Sequence, residues 1–486
     1  MKSARIYGWL LALAALFFIT GCDQLADWFG DDDDDNDDDK APFRYLSDFD
    51  LGARLGAVDP YDGSLDLIDP LTLDRYSIPT SPGFSALALT PAGDLVAMLD
   101  GEANLVRIVD PVAGRVEGEI AIGEGVNALR VSPAGDYLLG FYDPSAGEVD
   151  FGDSGVINYY ELDVIDLVAL TARPILIDFS PSQVVFAPSG RQCLLGSDHR
   201  LVWLDLESGA KVTYPLTLDP TESREPRDIA ISPDGSTALV LVNGTDDIFV
   251  LDLVNPTINI LNLSGQAESV TFLPDSRVAL LPVPDTGRLG IIDLDAAMPA
   301  EISLGETASR LRLNPDGTQV VLYREGGDQL IFYDPAMEEV SALPLNVLIE
   351  SEEGRPSVAY SPDGRRILVV GQYGSGPSGK LDMDLVDLKK SIAFPIGLDA
   401  SWIDYAFTPD SARVGVLLGE RNKFIRLDLN SLQPVWWEIA AAARELHYLS
   451  ELGIFAVQHH DRHGKITFIG DQGSDLYKIK RGFFDD

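Results

Sequence analysis

The sequence predicts an all-β chain built as a single large β-propeller of eight to ten four-stranded blades, and three observations predict it. A Pro-Asp-Gly-type turn recurs eight times, with prolines at 91, 133, 188, 233, 274, 315, 362 and 409. The steps between them are 42, 55, 45, 41, 41, 47 and 47 residues, a period in the range of propeller blades. The strand-like runs between turns are apolar almost throughout, as in "TALVLV" at 237–242, where a half-buried strand would alternate. Near-continuous apolar strands bury both faces of a sheet, and small sheets buried on both faces pack around an axis as blades.

The chain begins "MKSARIYGWLLALAALFFITGC". Lys2 and Arg5 form a basic n-region, and Leu10 to Ile19 form an apolar stretch of signal-peptide length, short for a membrane span. Ile19-Thr20-Gly21-Cys22 resembles a bacterial lipobox, with Ile19 where a Leu is usual. The expectation is a lipoprotein signal peptide over 1–21 and a diacylated Cys22, anchored to a membrane through its acyl chains without spanning it. The alternative is an ordinary signal peptide with an incidental cysteine. The second of the two cysteines, Cys193, lies in the strand-like "RQCLLGS" and is expected in the core, without a disulfide.

Residues 22–42 read as the lipidated Cys and an Asp-rich linker, ahead of a propeller domain over 43–486. Eight aspartates within 31–39 repel one another and extend the chain, so this segment is a tether. Loose calcium binding by such a run is the weaker reading. Asp23 resembles an inner-membrane retention signal of one bacterial sorting system, whereas acidic residues after the Cys resemble a surface-export signal of another. The localisation expected is therefore the cell envelope, at the inner or outer membrane. The chain carries 77 Asp and Glu against 36 Lys and Arg, a formal charge of −41. Positions 41–486 alone keep 67 acids against 33 bases. That balance excludes nucleic acid as a partner, which needs a basic footprint, and disfavours lying flat on anionic lipid.

Each repeat follows one grammar. A short apolar strand leads to the Pro-Asp-Gly turn, then come a strongly apolar strand, a polar turn, a strand ending in Asp, and a more polar strand. Pro presets φ near −65°, Asp caps its own backbone, and Gly accepts positive φ. Two weaker units flank the eight, at 52–80 and 444–486. They predict either additional blades or one blade closed by strands shared between the two ends of the chain. The units are similar to the YVTN-type and WD40-like propeller repeats of exported bacterial proteins. The match is carried by "SPDGSTALVLVNGTDDIFVLDL" and extends over roughly 50–475. The tyrosine-valine signature is replaced by "ALVLV", "RILVV" and "RVGVLL", and no Trp-Asp dipeptide is present. The resemblance implies a fold and leaves function open.

Strand order places all Pro-Asp-Gly turns on one face and the turns of variable length on the other. Two long insertions fall on that second face. The first, 142–160, gathers Asp143, Glu148, Asp150 and Asp153 with Tyr142, Phe151, Tyr159 and Tyr160. Asp150 and Asp153 are weak metal candidates without an EF-hand register, and the four aromatics are candidates for a partner-binding rim. A plain solvated insertion is the third reading. The second, "GQYGSGPSGK" at 371–380, is rich in Gly and Ser. Near the C-terminus, "QHHDRHGK" holds three of the five histidines, His459, His460 and His463, beside Asp461. The repeat register makes "GIFAVQHH" the second strand of the last unit and "KITFIGD" its third, with "HHDRHG" the turn between them. It resembles a His-bearing turn of last blades in such lipoproteins, and His459, His460 and His463 are weak metal candidates. His199 and His447 stand alone.

No nucleophile elbow, zincin helix, P-loop or dinucleotide fingerprint occurs, so no catalytic residue and no cofactor is assigned. The function expected is a membrane-anchored extracytoplasmic propeller that binds or scaffolds an envelope protein or a small ligand. The alternatives are a lactonase-like or metal-dependent hydrolase on the same scaffold, and a purely structural envelope protein.

Overall fold

The computed structural model describes residues 47–480, apart from 60–62, 81–83, 147–159, 220, 275–276, 297, 353–354, 373, 375–381, 399, 420–421, 440, 461–463 and 473–476. The signal sequence, Cys22 and the acidic tether lie outside these residues. Ten sheets form, each of four strands hydrogen-bonded in sequence order. The blades span 47–79, 84–121, 128–176, 183–215, 226–262, 271–303, 310–344, 358–396, 402–438 and 443–480.

Continuous apolar strands arise because each middle strand serves two interfaces. In the second strand of the fifth blade, Thr237–Val242, residues Ala238, Val240 and Val242 pack toward the fourth blade. Leu239 and Leu241 pack toward the sixth. The alternation of the strand is intact, but both of its faces are core. The fourth strands are the outer edges and are largely open to solvent, as in Thr257–Asn262, where no residue is buried. The first strands of neighbouring blades pack against one another on the inner side.

The ring closes through a tenth interface of the same kind. Leu55, Ala57 and Ile68 of the first blade pack with Leu449, Ile454, Ala456, Ile466 and Phe468 of the last. Closure by a shared strand, one of the two sequence expectations, does not occur. The N-terminal unit supplies its own first strand, Ser47–Asp50, upstream of the recognisable repeat, and the C-terminal unit supplies all four of its strands. Side-chain burial therefore joins the ends, at ~25 cal/mol per Å² of apolar surface covered.

The turn chemistry follows the sequence reading. In "SPDGST", Ser232 Oγ donates to Asp234 Oδ1 at 2.6 Å, and Asp234 accepts the Ser236 N–H at 3.0 Å. These hydrogen bonds hold the Asp234 carboxyl well below the usual range. Gly317 has φ +70°, and a Cβ there would lie 2.4 Å from Pro274 of the preceding turn. Turns of this face approach closely here and at Gly190 and Gly364, where a Cβ would lie 2.8 Å from Ala134 and 3.1 Å from Pro315. At the seam, Glu451 donates its N–H to Gly52 O at 3.3 Å. The Asp that ends the third strand caps the next turn: Asp110 Oδ1 accepts the N–H groups of Val112 and Ala113 at 2.8 and 2.7 Å. Asp69, Asp166, Asp252, Asp334 and Asp428 repeat the arrangement. Much of the acidic surplus is consequently turn chemistry.

Candidate functional site

The opposite face carries the turns between second and third strands and the connectors between blades. Its longest connector is 345–357, joining the seventh blade to the eighth. Val347 and Ile349 anchor this segment in the core between those blades, at 2% and 0% exposure. Ile349 forms an antiparallel bridge with Gly371, flanked by Glu350 N–H to Val370 O at 3.1 Å and Gln372 N–H to Leu348 O at 2.9 Å. A Cβ on Gly371 would stand 2.5 Å from Val347, so the strap lies this close only over a glycine.

The strap delivers Glu350 and Ser351 to the rim of a cavity of about 410 Å³, lined also by Gln372, Trp402 and Ile403. Trp402 opens the first strand of the ninth blade, Trp402–Phe407, next to a bulge between Trp402 and Asp404. Its indole Nε1–H donates to Glu350 Oε2. Its ring lies 6.0 Å from that of Tyr405, tilted by 49°. Tyr405 is fixed in turn by its hydroxyl, which donates to Pro356 O at 2.6 Å.

Two partly buried charge networks stiffen the surroundings. Arg312 Nη2 donates to both oxygens of Glu352 at 3.2 and 3.1 Å, and the Tyr323 hydroxyl donates to Glu352 Oε1 at 2.6 Å. Burial opposes the Arg312 charge, but Tyr323 and Glu352 outweigh it and raise its pKa. Burial also pushes the Tyr323 phenol up. Farther along, Arg355 Nε contacts Asp404 Oδ1 at 2.7 Å, and Asp404 Oδ2 accepts the Leu446 N–H of the tenth blade at 2.8 Å. Burial raises the Asp404 carboxyl despite the Arg355 charge. Asp228 makes the same inter-blade bond to Val270 at 2.7 Å. Sequence reasoning passed over these two aspartates, although each stands five residues before the turn proline, at 233 and 409.

The sequence-predicted residues are scattered. Cys193 is fully buried between the third and fourth blades, and burial pushes its thiol up, as befits an inert core position. The 142–160 insertion does join second and third strands, of the third blade. Within it, Tyr160 is 51% exposed, and Asp143 Oδ1 is used locally by the Ser145 N–H and hydroxyl. Glu148, Asp150, Phe151, Asp153 and Tyr159 lie outside the described residues, as do Asp461, His463 and most of 371–380. His459 is the last residue of the second strand of the last blade, Ile454–His459, where the strand and turn readings of "GIFAVQHH" and "HHDRHG" overlap. Its ring is buried, with Nδ1 3.0 Å from Ala441 O and Nε2 2.7 Å from Thr467 Oγ1. His460 is kept below its ordinary pKa by burial and by Arg444. Among the described residues, no three His, Cys, Asp or Glu side chains gather as a metal site, and no helix is long and apolar enough to cross a membrane.

Trp402 and Glu350 escaped the sequence reading because a connector brings them together, without any motif. No family model matches the chain, and neither does any curated protein. Among solved structures, the chain is similar to hydrazine synthase of Kuenenia stuttgartiensis, with 18% identity over 63% of this chain and 96% of that one, at a TM-score of 0.33. It is similar to a eukaryotic initiation factor, with 13% identity over 89% of this chain and 95% of that one, at 0.49. It is also similar to the Cps50 (Swd1) β-propeller domain of Myceliophteria thermophila, with 13% identity over 59% and 96% and a TM-score of 0.33. The fold assignment rests on the blades themselves: ten sheets and ten inter-blade cores make this chain a ten-bladed β-propeller.

Proposed function

We propose that this protein is an extracytoplasmic β-propeller lipoprotein, held to a membrane by acyl chains on Cys22, that works as a binding module for an envelope protein or small ligand. The anchoring part is supported by the lipobox-like Ile19-Thr20-Gly21-Cys22 and the run of aspartates after it. The binding part is carried by one observation: the pinned 345–351 strap holds a polar cavity with one aromatic wall on the face of variable turns. Pre-organised concave sites of this size suit recognition, because few groups need ordering when the ligand arrives.

Two measurements test the two parts. Metabolic labelling with a fatty-acid probe should mark the protein and not its Cys22→Ala variant, which should leave the membrane fraction. A membrane-bound Cys22→Ala variant overturns the anchoring. Chemical cross-linking of the full-length protein in its envelope should give adducts that Ser351→Arg, projecting a large cation into the cavity, removes. Adducts indifferent to Ser351→Arg overturn the site.

A further inference from the structure

We infer that the cavity beneath the strap receives a primary alkylammonium group, the chemistry of a lysine side chain or of a free aliphatic amine. The inference rests on the binding reading above and names the ligand class for its site.

Charge pairing carries it. Elsewhere on the inner side of the molecule, Glu352 holds Arg312, Asp404 holds Arg355, and Glu268 holds Arg227 at 3.3 Å. Glu350 differs. Among the described residues its carboxylate meets no arginine, lysine or histidine, and its hydrogen-bond donor is the neutral indole of Trp402. It lines the cavity, so an ammonium entering there completes the ion pair that its neighbours already have.

The rest of the lining narrows the chemistry. It contains no cationic side chain, so phosphate, sulfate and carboxylate ligands find no counter-charge there and meet the like charge of Glu350. Glu350, the Gln372 amide oxygen and the Ser351 hydroxyl supply three acceptors, matching the three N–H donors of a primary ammonium. A quaternary ammonium has no donor to offer them and prefers several aromatic faces, whereas this cavity has one. Trp402 and Ile403 supply an apolar wall for the methylene stem. The surplus of 67 acids over 33 bases in 41–486 draws cations toward the molecule.

The test is calorimetric titration of the full-length protein in detergent with four probes: cadaverine, Nα-acetyl-lysine methylamide, choline, and the neutral diol of cadaverine's length. Cadaverine and the lysine amide should bind saturably, with choline and the diol at least about tenfold weaker. Glu350→Gln keeps an acceptor for the indole and should weaken amine binding about tenfold. Trp402→Phe should weaken it severalfold, and a circular-dichroism melt identifies any variant that has lost its fold. Tighter binding of the lysine amide than of cadaverine assigns the site to a protein partner, and the reverse order assigns it to a free amine. Choline or the diol binding equally well, or amine binding unchanged in Glu350→Gln, overturns the inference while leaving a functioning pocket. Silence from all four probes, with cross-links indifferent to Ser351→Arg, overturns the binding reading along with it.

Discussion

Asp228 Oδ2 accepts the main-chain N–H of Val270 at 2.7 Å, and Asp228 Oδ1 accepts that of Ile229 at 3.0 Å. One carboxylate therefore ties the inner strand of the fifth blade to the residue just before the sixth. Burial lifts its pKa to about 6, against the pull of the two N–H donors, and Glu268 adds repulsion. Glu268 is itself held by Arg227 at 3.3 Å. The bond across the blades and the cost of charging the group are two sides of one arrangement.

That arrangement fixes the sign of a pH effect. A carboxyl raised from 3.8 to about 6 binds its proton more tightly in the folded chain than in the unfolded one. Its contribution is fully present below about pH 3.8 and is lost as pH rises through about 6. Asp228 retains some solvent contact, so the expected size is about 1–3 kcal/mol across this window. Other carboxyls, Asp234 among them, shift in the opposite direction, so the measurement is a difference. Urea midpoints of the wild type minus those of Asp228→Asn should fall from pH 4 to pH 7. A flat difference removes Asp228 as the source.

The turn face offers a paired comparison. Gly235 and Gly317 occupy equivalent turns at φ +71° and +70°. Nothing lies within 4 Å of a Cβ on Gly235, whereas one on Gly317 meets Pro274 at 2.4 Å. Gly235→Ala should cost about 1 kcal/mol, the left-handed backbone alone. Gly317→Ala should cost a further 1–3 kcal/mol, roughly, for the overlap. Equal losses in thermal melts would mean that adjacent turns separate freely.

How far the fold was legible follows from the physics of each element. The blades could be read because every copy must solve the same turn with Pro, Asp and Gly, and must bury both faces of its middle strands. The Asp at the end of each third strand was visible as a pattern, and its reason, capping of the next turn, needed coordinates. The first strand of the first blade, Ser47–Asp50, carries no repeat signal, so the blade count stayed open until pairing with Leu55–Asp59 was seen. The Trp402–Glu350 contact joins residues 52 positions apart through a connector of unique sequence, which no periodicity reports. Register puts His459 where the second strand of the last unit meets its turn, and only the side-chain environment shows that its ring still faces the core.

Closure of the ring depends on the last interface. Phe468 is fully buried there against Leu55, Ala57 and Ile68. Phe468→Ala should cost about 3–5 kcal/mol, since no shared strand holds the ends together. Native-state hydrogen exchange should then show protection falling first in 55–68 and 454–470, the strands on either side of the seam. Uniform loss around the ring would mean that the ten blades open as one unit and that the seam has no stability of its own.

His459 gives the last test. Ala441 O can only accept, so Nδ1 carries the proton, and the lone pair on Nε2 accepts from the Thr467 hydroxyl at 2.7 Å. With both nitrogens engaged on the fully buried Thr467 and the 439–442 connector, the ring acts as a clasp between the third strand of the last blade and the chain entering it. His459→Ala leaves two polar partners unmet and should cost about 2–4 kcal/mol, while Thr467→Val, which removes one bond, should cost about 1–2 kcal/mol. The double variant should lose less than the sum, because the Nε2 bond is counted in both. A clasp predicts these losses unchanged by zinc or EDTA. A zinc-dependent rise in melting temperature that His459→Ala abolishes would make the histidine a ligand.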